Sequence, residues 1–370
     1  MMVALIGCTE IYKPIIDPAS EALVVEGMIT DGAGPFTIKL SNALLFSSDS
    51  ISSSNYVSGA KMTVADNENN SFALTEREGG MYTLPSSFKA KIGDTYKLHI
   101  ETNDGNIYES NPEELLPPQT YDSIRGIYTN EEYIGPKNVL EKVEGADIQV
   151  DLFKSVSNLN YIPSCRFSSD ITIQYLYTES IPDTISWHWF YFGWSTYKLE
   201  GNENITNENL LTTNAFIKNH SIGFIPYQTT SYGIETAPYP TVIYYLRMNQ
   251  YTLNKDTYLF YKAANNQLAA TGKLFDPITS QLYGNMKCVN NPSKVILGLF
   301  EVSSVTQPSF LVTKIASNNT VVITRVPLID VPPAQVFRYR VWQKWPTPIP
   351  KEDSLKYYIP IPLPGWWYHN

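Results

Sequence analysis

Hydrophobic and polar positions alternate along this chain in short runs, the period of a half-buried strand. Tyr96, Leu98 and Ile100 alternate with Lys97, His99 and Glu101. Asn103-Asp104-Gly105-Asn106 follows as a hairpin turn, because Asn, Asp and Gly tolerate positive φ, and Ile107 to Ser110 returns from it. Phe36, Ile38 and Leu40 alternate behind Gly34-Pro35, and Ala60, Met62 and Val64 share one face of a run from 57 to 65. Leu23 to Thr30, Ser71 to Thr75 and Met81 to Leu84 add further strands, separated by Asp-, Asn- and Gly-rich turns. About seven short strands in one stretch predict an immunoglobulin-like antiparallel β-sandwich over residues 23–115. Pro112, Pro117 and Pro118 exclude a central strand behind it and set a domain boundary there.

The remainder, residues 116–344, reads as a larger β-rich domain. Ile148, Val150 and Leu152 alternate, as do Ile171, Ile173 and Tyr175, and Thr241 to Gln250 is a further strand. One helix is expected near 254–266, with Asn254 as N-cap and Asp256 in its first turn. Lys294 to Ser304 is nearly continuous in apolar residues and reads as a buried strand. Phe310 to Lys314 and Thr320 to Val326 follow as strands, and residues 345–370 form a Pro- and Trp-rich C-terminal arm. The fold class is therefore mainly β, in two domains, with one short helix.

Composition agrees with this pattern. Aromatic residues make up 13% of the 370 and charged residues only 17%, with 25 Pro and 20 Gly, which favours strands and turns over helices. The net charge of −9 argues against nucleic acid as a partner, since phosphate binding needs a basic surface. No later segment has the roughly 18 uninterrupted apolar residues of a spanning helix.

A membrane link is instead expected at the start. Leu5-Ile6-Gly7-Cys8 has the layout of a bacterial lipoprotein signal: an apolar run, a small residue at the cut, and a Cys whose thiol takes the lipid. The run is short and no basic residue precedes it, so Cys8 can also be read as an ordinary cysteine on a terminus. Residues 9–22, with Pro14 and Pro18, read as an extended tether. The other two cysteines, Cys165 and Cys288, either form a disulfide, which an envelope compartment permits, or remain two separate buried thiols.

The four His (His99, His188, His220 and His369) form no metal-ligand spacing, and no catalytic elbow, phosphate loop or calcium loop is present. No metal or cofactor is expected. The carboxylate pairs Glu113-Glu114 and Glu131-Glu132 read as solvated loop charges, although a β-rich hydrolase with dispersed carboxylates carries no short motif. The most unusual stretch is Trp187-His188-Trp189-Phe190-Tyr191-Phe192-Gly193-Trp194. It is either two core-facing strand faces with a tight turn, or an exposed aromatic platform for a ligand or partner. Trp187, Trp189 and Trp194, with Trp366 and Trp367 in the arm, are the candidate binding surface.

Several blocks together resemble one family. Leu23 to Thr30, Gly34 to Ser41, Gly93 to Ile100, Leu253 to Tyr261, Thr271 to Pro277, Asn290-Asn291-Pro292 and Leu297-Gly298-Leu299-Phe300 are similar, in order, to domain-of-unknown-function family 4249. Cys8-Thr9-Glu10 resembles the start of its mature lipoproteins, and the last 60 or so residues, past about 305, lack the family's hallmarks. The resemblance implies an envelope lipoprotein of Bacteroidota type, commonly encoded beside TonB-dependent outer-membrane receptors, with no catalytic residues to carry over. The expectation is a non-enzymatic outer-membrane lipoprotein, on either the periplasmic or the surface face, acting as accessory or substrate-capturing partner of a TonB-dependent importer. A surface adhesive or structural lipoprotein, and a glycan hydrolase, are the alternatives. The ligand is left open.

Overall fold

A computed structural model describes residues 22–43, 55–134, 139–152, 164–180, 187–199, 204–206, 216–226, 242–269, 282–315, 319–328 and 335–342. Strands are numbered along the chain. The fold is mainly β, with several antiparallel sheets, and divides into two units. The first draws on residues within 1–29, 33–114 and 280–302, and the second on residues within 30–32, 115–279 and 303–370.

The first unit is a two-sheet sandwich. One sheet has the order β18-β1-β2-β6-β5, from β1 (Leu23–Ile29), β2 (Thr37–Asn42), β5 (Thr75–Glu78), β6 (Met81–Thr83) and β18 (Ile296–Val302). The other has the order β17-β8-β7-β3-β4, from β3 (Lys61–Asp66), β4 (Ser71–Ala73), β7 (Thr95–Glu101), β8 (Ile107–Ser110) and β17 (Met286–Cys288), with β9 (Glu113–Glu114) beside β7. Period-two alternation delivers the core. Val25, Ile38 and Leu40 from the first sheet, and Val64, Leu98 and Ile100 from the second, are completely buried. Each such aliphatic side chain contributes roughly 1.5–3 kcal/mol by leaving water. Phe88 lies edge-on to Phe36, Phe72 and Tyr96, with centroids 4.9 to 6.0 Å apart.

One feature departs from the sequence reading. The strand Ile296–Val302, expected in the second domain, belongs to the first unit. It pairs with β1 in parallel, from Leu23 opposite Ile296 to Ile29 opposite Val302, in a sandwich whose other pairs are antiparallel and whose strand order the sequence reading left open. The apolar run of β18 shows that it is buried but not which sheet buries it. Pairing needs a close approach: Gly298 has φ +88°, and a Cβ there would stand 2.0 Å from the Val25 carbonyl oxygen.

The second unit has three layers. A three-stranded sheet, β10-β11-β15, is built from β10 (Tyr121–Ile134), β11 (Leu140–Leu152) and β15 (Ile217–Pro226). An eight-stranded sheet has the main order β21-β20-β16-β12-β13-β22. Its strands are β12 (Cys165–Ser180), β13 (Trp187–Lys198), β16 (Val242–Thr252), β20 (Ser309–Ile315), β21 (Thr320–Val326) and β22 (Gln335–Trp342). Two short strands, β14 (Asn204–Ile205) and β19 (Ser304–Thr306), pair with β12 and β16. Ile148, Val150 and Leu152 of the smaller sheet form one apolar core with Phe167, Ile171, Leu246, Met248 and Val312 of the larger. The helix α1 (Lys255–Ala269) runs three residues past the expected end at 266. It approaches the other face of the large sheet, where the Arg166 guanidinium lies 4.3 Å from the Tyr251 ring and 4.8 Å from the Tyr261 ring of α1. The C-terminal arm lies outside the described residues.

Gly298→Ala is expected to destabilise the first unit by about 2–4 kcal/mol, from positive-φ strain and steric overlap together. Gly93→Ala is the control: its φ is +90° but a Cβ there meets nothing within 4 Å, so only the conformational part, about 1–2 kcal/mol, remains. Urea unfolding of both variants measures the difference, and equal losses would show that the β1–β18 approach is not tight.

Candidate functional site

The aromatic stretch is one continuous strand. β13 passes through Gly193 without a turn, pairing with β12 from Asp170–Lys198 to Ser180–His188 and with β22 from Trp187–Trp342 to Trp194–Gln335. The tight turn considered for this stretch is therefore not formed. Strand periodicity then sorts the tryptophans. Trp187 and Trp189 occupy positions on the face shared with Ile171, whereas Trp194 is on the face shared with Thr172. The Thr172 and Thr196 hydroxyls, 2.8 Å apart, mark that second face. The three strand tryptophans proposed as one surface do not share a face. Trp366 and Trp367 lie outside the described residues.

The register brings in positions that the sequence reading did not single out. On the face of Trp187 and Trp189, the cross-strand row through Trp189 runs Glu179–Trp189–Arg340, and the row through Tyr191 runs Tyr177–Tyr191–Arg338. Two arginine positions on the edge strand thus stand beside two aromatic positions. The signal was present in the sequence as Arg338-Tyr339-Arg340, an alternation that places both arginines on one face of a strand.

Other polar and charged groups make contacts within the fold. On β10 and β11, Arg125 donates Nη1 and Nη2 to Asp151 at 2.8 and 2.9 Å. Asp151 also accepts from the Ser123 hydroxyl and the Asn219 backbone N–H. The Arg125 bond and the Asn219 N–H hold its carboxyl far below the usual carboxylate range. His220 stacks on Phe167 at 5.4 Å, with Nε2 2.6 Å from Asn204 Oδ1, and burial pushes its pKa down. His99 stands half-exposed on β7, with Nδ1 3.4 Å from Glu109 Oε1. Among the described residues no group of three His, Cys, Asp or Glu is placed to hold a metal ion.

Two carboxylate readings are corrected. Glu113 is not a solvated loop charge: it is 4% exposed in β9 and accepts from Asn285 Nδ2 at 3.0 Å. Glu131 and Glu132 are exposed but lie on strand β10, where Glu132 meets Lys142 at 2.9 Å. The disulfide considered between Cys165 and Cys288 is not made. Both are buried thiols, one in each unit. Cys165 sits at zero exposure in the second core, where its sulfur accepts from Gln250 Nε2 at 3.5 Å. Burial pushes its pKa up to about 12.

A family model described as Domain of unknown function (DUF4249) matches residues 9–309. No curated protein and no solved structure matches the chain.

The buried Cys165 generates a prediction. Its folded pKa lies above the ordinary value of 9.0, so the neutral thiol is favoured by folding. The resulting stability is full below about pH 9 and is lost as pH rises from there toward 12. At pH 8 a thiol reagent is expected to leave Cys165 unlabelled in the native protein and to label it on unfolding. Rapid native labelling, read by mass spectrometry, would contradict the burial.

Proposed function

Since this chain belongs to the DUF4249 family, whose description assigns no activity, we propose a function from its own chemistry: a non-enzymatic lipoprotein of the outer membrane that captures a ligand for a TonB-dependent importer. The observation that carries the capture role is the pair of rows Glu179–Trp189–Arg340 and Tyr177–Tyr191–Arg338 on one sheet face. Such rows supply recognition area but no nucleophile–base pair, which favours binding over catalysis. The anchor rests on Leu5-Ile6-Gly7-Cys8 and on the Pro-containing stretch behind it. Tethering at the membrane raises the effective concentration of the body near a receptor in the same bilayer.

Two measurements test this. Cys8→Ala is expected to abolish incorporation of radiolabelled fatty acid and to move the protein from the membrane to the soluble fraction. Persistent labelling of that variant would remove the anchor from the proposal. Affinity purification of the full-length protein from detergent-solubilised outer membranes is expected to recover a TonB-dependent receptor. A lipidated protein that comes down without any β-barrel receptor would move the reading to surface adhesion.

A further inference from the structure

The core of the second unit is apolar over most of its length and polar at one end. Along β16 the core-side positions are Tyr244, Leu246, Met248, Gln250 and Thr252, so the last two are polar. The short strand β19 lies opposite them, with Thr306 facing Gln250 and Ser304 facing Thr252. Residues directly opposite in an antiparallel pair project to the same face. Four polar side chains therefore share this end, and Gln250, Thr252 and Ser304 are no more than 1% exposed.

The hydrogen bonds orient the Gln250 amide. Its Nε2 donates to the Gln119 carbonyl oxygen at 2.7 Å and to the Cys165 sulfur at 3.5 Å. Turning the amide over would set Oε1 against the Gln119 carbonyl, acceptor against acceptor, so the orientation is determined. Thr252 Oγ1 is satisfied by the Gln119 backbone N–H at 2.8 Å. Gln250 Oε1 has no donor among the described residues, and neither Ser304 Oγ nor Thr306 Oγ1 has a partner there. The unmet needs are complementary: the amide oxygen requires a proton, and each hydroxyl has both a proton and lone pairs to place.

We propose that this polar end binds an internal water molecule, held by Gln250 Oε1, Ser304 Oγ and Thr306 Oγ1. The water donates one proton to the amide oxygen and accepts from a hydroxyl, and its remaining proton reaches the other hydroxyl. That is the usual complement of about three hydrogen bonds for a buried water. An apolar occupant would leave all three atoms unmet. The water thereby links β19 to β16, whose ladder is only three residue pairs long.

The test is a crystal structure of the full chain at a resolution that shows ordered water. A water peak within hydrogen-bonding distance of Gln250 Oε1 and of at least one of the two hydroxyls is expected. A hydroxyl bonded directly to Gln250 Oε1, or a side chain filling the site, would overturn the proposal. In solution, oxygen-17 relaxation dispersion counts long-lived internal waters. The wild type should carry one more than the S304A/T306V double variant, compared at matched circular dichroism, and an equal count in the two would also overturn it.

Discussion

The parallel pairing of β1 with β18 is the constraint on which the first unit depends. β1 is an interior strand, with β2 antiparallel on one side and β18 parallel on the other. Val25 and Ile29 of β1, and Phe300 and Val302 of β18, are completely buried. Without β18, β1 would be an open edge carrying apolar side chains, the arrangement that invites aggregation. The two strands lie more than 260 residues apart in sequence, and the body of the second unit is encoded between them. Loop-closure entropy grows only logarithmically, so closing such a span rather than a 30-residue one costs about 2 kcal/mol more. A few buried aliphatic side chains offset that cost. The limit on this pairing is steric instead: Gly298 and Gly284 approach so closely that a Cβ on Gly284 would stand 1.6 Å from the Gly298 oxygen.

A different constraint governs the second unit. Around β12 and β16 its large sheet is covered on both faces, by the three-stranded sheet on one and, near Arg166, by α1 on the other. Thr172 and Tyr245, on the helix-side face, are as buried as Ile171 and Tyr244 on the core side. A strand in such a sheet need not show a polar face. Aromatic residues on both faces of a strand are therefore compatible with one straight strand.

This explains what was legible in the sequence. Where one sheet face is dry and the other wet, alternation declares the strand and its core positions together, as with Tyr96, Leu98 and Ile100 or Ile148, Val150 and Leu152. The helix was legible because its N-terminal signals are local. Long-range pairing was not: nothing in Leu297-Gly298-Leu299-Phe300 states that its neighbour is Val24 to Gly27, although both blocks carried the family resemblance. The candidate site was legible only as an aromatic surplus. The division of Trp187 and Trp189 from Trp194, and the addition of Arg338 and Arg340, required the register of three strands. Glu113 was misread because its partner, Asn285, lies 172 positions away.

Strands that are apolar on both faces raise a problem of their own. A slip of register loses little burial, so apolar packing alone does not select one alignment. Buried polar groups supply the selection, because each has a strict partner and a large penalty when misplaced. Asn285 shows this for β18: its side chain accepts from the Phe300 N–H at 3.0 Å and donates to the Phe300 carbonyl at 2.7 Å, as a neighbouring strand would. A one-residue slip would present Leu299 or Glu301 to that amide and place the Phe300 ring on the wrong side of the sheet. In the large sheet the buried Gln250 amide plays the same part for β16, and the part-buried Asp170–Arg247 pair and Thr172–Thr196 hydroxyl contact add to it for β12, β13 and β16. The register of β13 on β12 is thus held by the Thr172–Thr196 contact, seven positions along β13 from Trp189.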